Sequence, residues 1–424
     1  MSAAAVQRHE TRRPEYLKLL RERSFAHVLA AYAISEAGDG VTLVAFPLLA
    51  YSLGHSAATV GFVFAVGALP RVVLGLWAGV AADRLDRRLL VTWCNVGRAL
   101  LLGVVPIFPE LPVILVVSFV SQSLGVLEAS ATEAALPALG GPRYQQLAAV
   151  RSSLRSLGTT VGPALGGVLV ATVGASRAVI VDALTFAVAA ALVAGVRDFD
   201  TGYGARRATA IGRHVLADLS EGLRCMLGNR VAVGLTAYWS VGLLVLPLSL
   251  VAAVPYITSD LGLSPRAYGL AVSCYAIGAV LGMLAAGKFA YRQHRRAWLL
   301  GSGLGYGGAG MALGLGPSYP IFCLLWFLWG AVYGPEQVLG DVVFAEATED
   351  RTRGRMFSVS LTSMGLATLL GYLGSGLVIN DLGARWSMGI AGAVATMAAI
   401  VAFGISPLGR AIVDPAPPKD PEEP

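Results

Sequence analysis

The sequence predicts an all-α membrane protein in which twelve transmembrane helices form two pseudo-symmetric halves of six helices each. Of its 424 residues, 55% are hydrophobic and 14% are charged, whereas an ordinary soluble domain has roughly 25% charged residues. Apolar runs long enough to cross a bilayer recur along the chain. Several charged and glycine residues of the first half recur about 208 residues later, which indicates an internal repeat.

Twelve apolar runs are predicted to cross the bilayer, because an α-helical bundle satisfies the backbone polar groups of such long runs in lipid. An even number of spans places both termini on the same side. The predicted spans lie near residues 25–52, 58–82, 89–108, 112–137, 147–173, 177–196, 231–259, 266–290, 297–316, 319–345, 356–380 and 385–408.

These spans divide the chain into segments. Within the central loop, the apolar residues of 214–227 follow helical spacing and predict an amphipathic helix on the membrane surface. The C-terminal tail is rich in proline and charge, which predicts disorder. The predicted segments are an N-terminal cytoplasmic segment (1–24), a six-helix half (25–196), a central cytoplasmic loop (197–230), a second six-helix half (231–408) and a cytoplasmic tail (409–424).

The basic residues predict the orientation of the bundle. With the termini in the cytoplasm, 27 lysines and arginines fall on the cytoplasmic side and three on the outer side, namely Arg177, Arg266 and Arg385. Such an excess favours cytoplasmic termini. It also explains the net charge of +6 without a nucleic-acid partner.

The internal repeat is carried by acidic, basic and glycine positions. The acidic pairs are the least expected by chance in a glycine-rich chain. The matched positions are Gly79 with Gly287, Arg87 with Arg295, Arg88 with Arg296, Glu128 with Glu336, Glu133 with Asp341, and Gly166 with Gly374.

Ionisable side chains inside the predicted spans are candidate functional groups, since each costs roughly 2.5–3.5 kcal/mol at a helix centre. Glu36 and Asp39 are three residues apart, so they are expected to share a helix face. Because no histidine lies well inside a span, proton coupling would use carboxylates. The candidates for proton coupling or substrate binding are Glu36, Asp39, Arg98, Glu128, Glu133, Asp182, Glu336 and Asp341.

A structural ion pair is the alternative for these groups. Arg98 with Glu128 or with Glu133 is a plausible pair, because predicted spans three and four are neighbours in sequence. This alternative applies most strongly to Glu133, Arg98 and Asp182.

Two further patterns concern packing and binding. Gly158, Gly162 and Gly166 recur every four residues, so they form one small-residue face on which another helix can pack closely. We predict that this face meets a matching face of span eight, formed by Gly278, Gly282 and Ala286.

In span ten, Trp329 and Tyr333 lie on the same face as Glu336. An aromatic face beside an acid suits an amphipathic or cationic substrate. Simple core packing of the aromatic rings is the alternative.

The dense charged turn at residues 79–88 cannot lie in hydrocarbon, so it marks where the chain leaves the membrane. The turn, with Gly79 three residues before Asp83-Arg84 and the basic pair Arg87-Arg88, resembles the loop 2–3 signature of the major facilitator superfamily, with Asp86 where a glycine is frequent. Residues 158–167 resemble the antiporter signature of span five in that superfamily.

Three shorter stretches, 35–39, 182–186 and 354–358, resemble its proton-linked drug and siderophore exporter branch. The resemblance implies a gate that locks the cytoplasmic side in the outward-facing state, formed by Gly79, Asp83, Arg84, Arg87 and Arg88. It also implies an antiporter packing element formed by Gly158, Gly162, Pro163, Gly166 and Gly167.

The function implied is secondary active transport by alternating access, with proton-coupled efflux of a small amphipathic drug, natural product or siderophore. The alternatives are uptake of a small solute, and a scaffold or sensor that does not transport. No Walker loop is present, and no motif supports an enzyme, a cofactor or a metal site. The expected partners are a small-molecule substrate, protons and lipid. The expected state is a monomer in a bacterial inner membrane.

Overall fold

The computed structural model describes residues 22–196, 220–289 and 295–405. The described residues form twelve long helices, and α7 and α12 each continue into a π-helical turn. The helices are α1 (Arg23–Gly54), α2 (Ala57–Arg84), α3 (Arg87–Val104), α4 (Leu111–Gly140), α5 (Tyr144–Val173), α6 (Ala175–Ala194), α7 (Arg230–Pro255), α8 (Pro265–Phe289), α9 (Arg295–Gly314), α10 (Tyr319–Ala347), α11 (Asp350–Leu382) and α12 (Ala384–Ala399).

Each helix coincides with one predicted span. When the π-helical turn that extends α12 to Ile405 is included, the largest difference is at α11, which begins at Asp350 rather than near residue 356. Hydropathy excludes the charged turn 351–355 from a membrane span, but arginine is a good helix former, so the helix continues beyond the apolar run.

Ten helical segments of the described chain are long and apolar enough to cross a membrane. The two helices outside this set are α3 and α9. Helix α3 carries Arg87, Arg88, Asn95 and Arg98, and α9 begins with Arg295 and Arg296 and is rich in glycine. The chain is therefore an all-helical membrane protein, and the count of twelve spans stays a prediction.

The packing of the helices repeats after six helices. Helix α1 packs on α5 and α6, and α7 correspondingly packs on α11 and α12. The pairs α2–α4, α3–α4 and α3–α6 likewise recur as α8–α10, α9–α10 and α9–α12. Two extensive contacts join the halves, α5 with α8 and α2 with α11, and these two are related by the same six-helix shift. The halves α1–α6 and α7–α12 are thus pseudo-symmetric.

The two ends of the bundle differ in how the halves meet. We call the end at which α1 begins and α2 ends the basic end, and the opposite end the neutral end. At the neutral end, one apolar core contains residues of both halves, including Val60, Val170, Val251, Tyr268 and Phe322. At the basic end, each apolar core draws its buried residues from a single half. The halves are therefore fused at the neutral end and packed separately at the basic end.

The predicted amphipathic helix 214–227 is described only in part. Residues 220–227 are helical. Glu221 forms an ion pair of 2.5 Å with Arg355 of α11, and Met226 is buried in the basic-end core of the second half. The described part of this segment therefore packs on the start of α11. Residues 214–219, the tail 409–424 and most of the segment 1–24 lie outside the described residues.

Candidate functional site

Arg98 of α3 lies at the centre of a charged cluster inside the first half. Its guanidinium forms an ion pair with Asp39 of α1, and it donates to Glu128 of α4 at 3.3 Å. It also donates to Ser121 Oγ at 3.3 Å and lies over the ring of Phe186 of α6 at 3.8 Å. Arg98 is 3% exposed. One buried cation therefore connects helices α1, α3, α4 and α6.

The two acids that contact Arg98 differ in their access to solvent. The side chain of Glu128 is 13% exposed, whereas that of Asp39 is 37% exposed. Asp39 therefore contacts a buried cation and also reaches the accessible surface of the first half. The ionised form of Asp39 stabilises the buried Arg98.

Asp182 of α6 is a third acid near this cluster, and it is fully buried. Thr42 of α1 donates a hydrogen bond to its carboxylate, and Thr185 donates to another carboxylate oxygen at 3.2 Å. Both donors are neutral hydroxyl groups, and Asp182 forms no ion pair within the described residues. It links α6 to α1 one helical turn from Asp39.

The sequence left two partners open for Arg98, and the structure selects Glu128. Glu133 instead pairs with Arg151 of α5, and its side chain is 61% exposed. Arg151 lies in the second turn of α5, near the basic end, and is 7% exposed. Its guanidinium also lies 4.6 Å from the ring centre of Tyr32, and this aromatic face helps to accommodate the buried charge.

Glu36 and Asp39 face different helices although they are three residues apart. Asp39 turns toward α3, whereas the side chain of Glu36 packs against α5, where a Cβ added at Gly158 would lie 2.6 Å from the Cβ of Glu36. The two acids were predicted to share one helix face, but Asp39 contacts α3 and Glu36 contacts α5.

The glycine face of α5 packs against α1. A Cβ at Gly166 would lie 2.6 Å from the carbonyl oxygen of Gly40, and one at Gly162 would lie 3.0 Å from the carbonyl oxygen of Glu36. Pro163 lies inside α5 at the same crossing. The two backbones approach so closely that a side chain at these glycines would force them apart.

Helices α5 and α8 are in contact, as predicted, but through other faces. Gly167 packs on the backbone of Gly269, and Ser273 Oγ donates to the carbonyl oxygen of Ala164 at 2.9 Å. The predicted pairing of glycine faces is wrong. Gly278 and Gly282 of α8 pack on Phe327 and Ala331 of α10, and the side chain of Ala286 lies outside the described part. The glycine faces of α5 and α8 therefore each pack on a helix of their own half.

The acid of the second half that corresponds to Glu128 has a different partner. Glu336 of α10 accepts a hydrogen bond of 2.8 Å from the hydroxyl of Tyr238 of α7, and its second carboxylate oxygen is buried without a hydrogen-bond partner. Asp341, which corresponds to Glu133, is exposed. The two halves therefore repeat in fold but not in the chemistry around their acids.

The two aromatic residues of α10 predicted to line a substrate cavity differ in burial. Trp329 is 2% exposed and packs on Tyr306 and Tyr275, with ring centres 5.0 and 5.7 Å away. Tyr333 is half-buried beside Tyr275. A small cavity of about 10 Å³ is lined by Trp329, Tyr306 and Ser249. Their role in a substrate cavity stays a prediction.

Comparison with known proteins bears on this fold and site. The sequence model of the Major Facilitator Superfamily matches residues 28–254 and 248–423. The chain belongs to the Major Facilitator Superfamily. It is 28% identical over 389 residues to the multidrug efflux pump Tap of Mycobacterium tuberculosis, with 89% of each chain covered. It is 25% identical to macrolide efflux protein A of Streptococcus pyogenes, covering 86% of this chain and 93% of that protein.

The fold also matches a solved structure of the superfamily's architecture. It superimposes with a TM-score of 0.70 on a bacterial homologue of the human lysosomal transporter Spinster in an inward-facing, unoccupied conformation, at 16% identity and with 95% and 99% of the two chains covered. This likeness shows the fold alone. The chain is thus a transporter of the superfamily rather than an enzyme.

In this superfamily member, part of the loop 2–3 stretch is described at side-chain level. Arg87 is buried and its Nε donates to the carbonyl oxygen of Ala82 at 3.2 Å, while Arg88 donates to the carbonyl oxygen of Ala194 at the end of α6. These arginines join the start of α3 to the ends of α2 and α6. The side chains of Gly79, Asp83 and Arg84 lie outside the described part, so the gate stays a prediction.

Sequence reasoning missed the neutral partners of the charged groups in this transporter. Ser121, Thr42 and Tyr238 each hold one of the predicted ionisable residues. Hydroxyl residues are common in membrane helices, so they give no signal on their own. Placing them on the helix faces that carry Arg98, Asp182 and Glu336 would have required the helix packing.

Proposed function

We propose that this chain is a proton-coupled exporter of small amphipathic molecules, located in a bacterial inner membrane with both termini in the cytoplasm. Its relatives include a multidrug efflux pump and a macrolide efflux protein over nearly the whole length of both chains. We expect the transporter to act as a monomer. The gate formed around Asp83 is part of this proposal.

The observation that carries the proposal is the position of Arg98 between two acids. A buried arginine needs ionised partners, because an uncompensated charge in the membrane interior is strongly unfavourable. When Asp39 takes up a proton, its attraction to Arg98 weakens, and Arg98 then depends on Glu128. Proton binding at Asp39 thereby changes how α1 is held against α3 and α4, which favours one conformation over another.

The arrangement of the two ends supports alternating access. The halves share an apolar core at the neutral end and have separate cores at the basic end. With the basic end in the cytoplasm, this conformation admits substrate from the cytoplasm. The return step would require the neutral-end contacts to open while the halves close at the basic end.

Transport by purified protein in proteoliposomes tests the proposal. An imposed pH gradient is expected to drive uptake of a macrolide or a dye substrate into inside-out vesicles, and dissipating the gradient is expected to stop it. Asp39→Asn is expected to abolish gradient-driven transport while leaving gradient-independent exchange of the substrate. Glu110→Gln, at an exposed position of the neutral end, is the matched control.

Gradient-driven transport by Asp39→Asn at the wild-type rate would contradict the role of Asp39. Failure of the wild type to transport any compound of a broad panel under a pH gradient would contradict proton-coupled export itself.

The gate has its own test. Asp83→Asn is expected to reduce transport while insertion and yield remain at the wild-type level, because neutralising the acid removes its attraction to cations and helix N-termini. The comparison is made by initial transport rates per mole of inserted protein. Wild-type rates in this variant would exclude the gate.

A further inference from the structure

The carboxylate of Glu336 differs from every other acid of the described membrane interior in its surroundings. One of its oxygens accepts a hydrogen bond from the hydroxyl of Tyr238, and the other is buried and has no hydrogen-bond partner in the described residues. In the described residues it forms no ion pair. By contrast, its counterpart Glu128 faces Arg98, and Tyr306 lies at the position of α9 that corresponds to Arg98 in α3.

A single neutral hydrogen bond does not compensate an ionised carboxylate in an apolar interior. Such a group is stable only with a proton or with a cation that supplies the missing charge. The unpartnered oxygen of Glu336 therefore requires either a proton or a cationic group beside it. The first half fills its equivalent position with a permanent cation of its own, Arg98, whereas the second half leaves the position to be filled from outside.

The residues around Glu336 suit a particular kind of cation. Tyr333 lies about one helical turn before Glu336 on α10, and its ring centre is 6.4 Å from that of Tyr275 of α8. Tyr306 and Tyr275 pack on Trp329, which extends the aromatic wall toward the small cavity of the second half. Aromatic faces attract cations that are weakly hydrated, such as quaternary ammonium or protonated tertiary amine groups, much more than they attract neutral molecules.

We propose that Glu336 and its aromatic wall form the recognition site for the cationic group of a lipophilic amine substrate. The inference rests on the proposed export function, and it assigns different tasks to the halves. Asp39 with Arg98 responds to protons in the first half, and Glu336 selects positively charged substrates in the second. Tyr238 holds one carboxylate oxygen so that the other one faces the substrate.

Equilibrium binding to the purified full-length protein in nanodiscs tests this site without a proton gradient. The probes are tetraphenylphosphonium and tetraphenylborate, which have the same shape and opposite charges. At a fixed alkaline pH, wild type is expected to bind the cation and to discriminate against the anion. Glu336→Gln is expected to weaken cation binding at least about tenfold, or about 1.4 kcal/mol, and to reduce the discrimination.

Two variants separate charge recognition from misfolding. Glu346→Gln lies on the same helix at an exposed position, where it pairs with Arg295 at 2.5 Å, and it is expected to bind tetraphenylphosphonium like wild type. Glu336→Asp keeps the charge and is expected to retain more binding than Glu336→Gln. Thermal unfolding of each variant verifies that the protein is folded.

The inference is overturned if wild type binds tetraphenylphosphonium no better than tetraphenylborate, or if Glu336→Gln binds the cation with unchanged affinity. Either result leaves the proposed export function intact, because the pH-gradient assay with Asp39→Asn decides that function independently. Conversely, selective cation binding in a protein that shows no gradient-driven transport would support the site and contradict proton coupling.

Discussion

At the residue scale, the buried Arg98 has more partners than any other basic residue of the described membrane interior. Its guanidinium contacts two carboxylates, one hydroxyl and one aromatic ring, each on a different helix or turn. A planar guanidinium can donate in several directions at once, which a lysine ammonium cannot do with the same geometry. The choice of arginine therefore follows from the need to connect several helices through one charge.

Removing this charge is expected to destabilise the protein strongly. Arg98→Ala leaves Glu128 buried and without its cation, and breaking a buried pair in this way costs about 3–5 kcal/mol. The lower part of that range applies, because Asp39 is partly exposed. Thermal unfolding in detergent, followed by size-exclusion chromatography, measures the effect.

Arg143→Ala is the control for this change. Arg143 forms a two-bond pair with Glu22, at 2.5 and 2.9 Å, but both side chains are exposed. Its loss is expected to change stability far less than the loss of Arg98 does, because solvent screens an exposed pair. Equal losses in the two variants would show that the Arg98 cluster does not stabilise the fold.

The ionisable residues could be predicted from the sequence, but their partners could not. Arg98 and Glu128 stand out because charges are rare inside apolar runs, and sequence proximity suggested their pairing. Asp39 is 59 residues away from Arg98 along the chain, so nothing short of helix packing brings them together. Glu133 shows the same limit, since the sequence offered Arg98 as its partner and the structure pairs it with Arg151 of α5.

At the element scale, helices α1 and α5 cross at a point where both backbones lack side chains. Gly40 of α1 meets Gly162 and Gly166 of α5. In lipid, apolar burial gives no advantage to one helix contact over another, so association depends on close packing between small residues. The four-residue glycine spacing of α5 is thus explained by packing within the first half.

Adding one methyl group at this crossing is expected to destabilise the protein. In Gly166→Ala the new Cβ would lie 2.6 Å from the carbonyl oxygen of Gly40, so the helices must separate. Overpacking of this kind costs about 1–3 kcal/mol. Gly103→Ala in α3 is the control, because a Cβ there meets no atom within 4 Å.

The two variants are compared by their thermal unfolding temperatures. A lower value for Gly166→Ala than for Gly103→Ala supports the crossing, whereas equal values would show that α1 and α5 are not in close contact in the membrane.

The sequence predicts helices far better than helix faces. Long apolar runs bounded by charges fixed the ends of α8 within a residue, from 266–290 to Pro265–Phe289. The prediction of which face of α8 meets α5 was wrong, because α8 has small residues on more than one side. Gly278 packs within the second half and Gly269 packs between the halves. Small residues show that a close contact exists, but not with which helix.

At the scale of the whole molecule, the distribution of basic residues predicts the orientation. Two exposed glutamates at opposite ends allow a matched test in a variant without the four native cysteines. Glu110→Cys at the neutral end is expected to react with a membrane-impermeant maleimide in intact cells, and Glu349→Cys at the basic end only after permeabilisation. The opposite labelling pattern would reverse the orientation and the proposed direction of access.

The contact between α2 and α11 at the neutral end is the place where the halves must separate during transport. Gly376 of α11 packs on Ala58 of α2, and the ring of Phe64 stacks on Tyr372 at 4.8 Å. At the same end, Tyr51 of α1 and Ser259 of the π-helical turn after α7 share a hydrogen bond of 2.7 Å. Alternating access requires these contacts to break once per cycle, so a covalent bond across them must stop transport.

Ala58→Cys with Gly376→Cys, in the background without native cysteines, provides that bond. A Cβ at Gly376 would lie 2.9 Å from the Cβ of Ala58, and a small shift of the helices brings the pair into disulfide range. Oxidation is expected to abolish transport, and a reductant is expected to restore it.

Gly314→Cys with Gly389→Cys joins α9 to α12 within one half at the same end, where a Cβ at Gly314 would lie 2.7 Å from Cα of Gly389. This control is expected to transport in both redox states, because α9 and α12 move together. Full transport by the oxidised first pair would show that the halves do not separate at the neutral end, and rocking of the two halves would then be excluded as the transport motion.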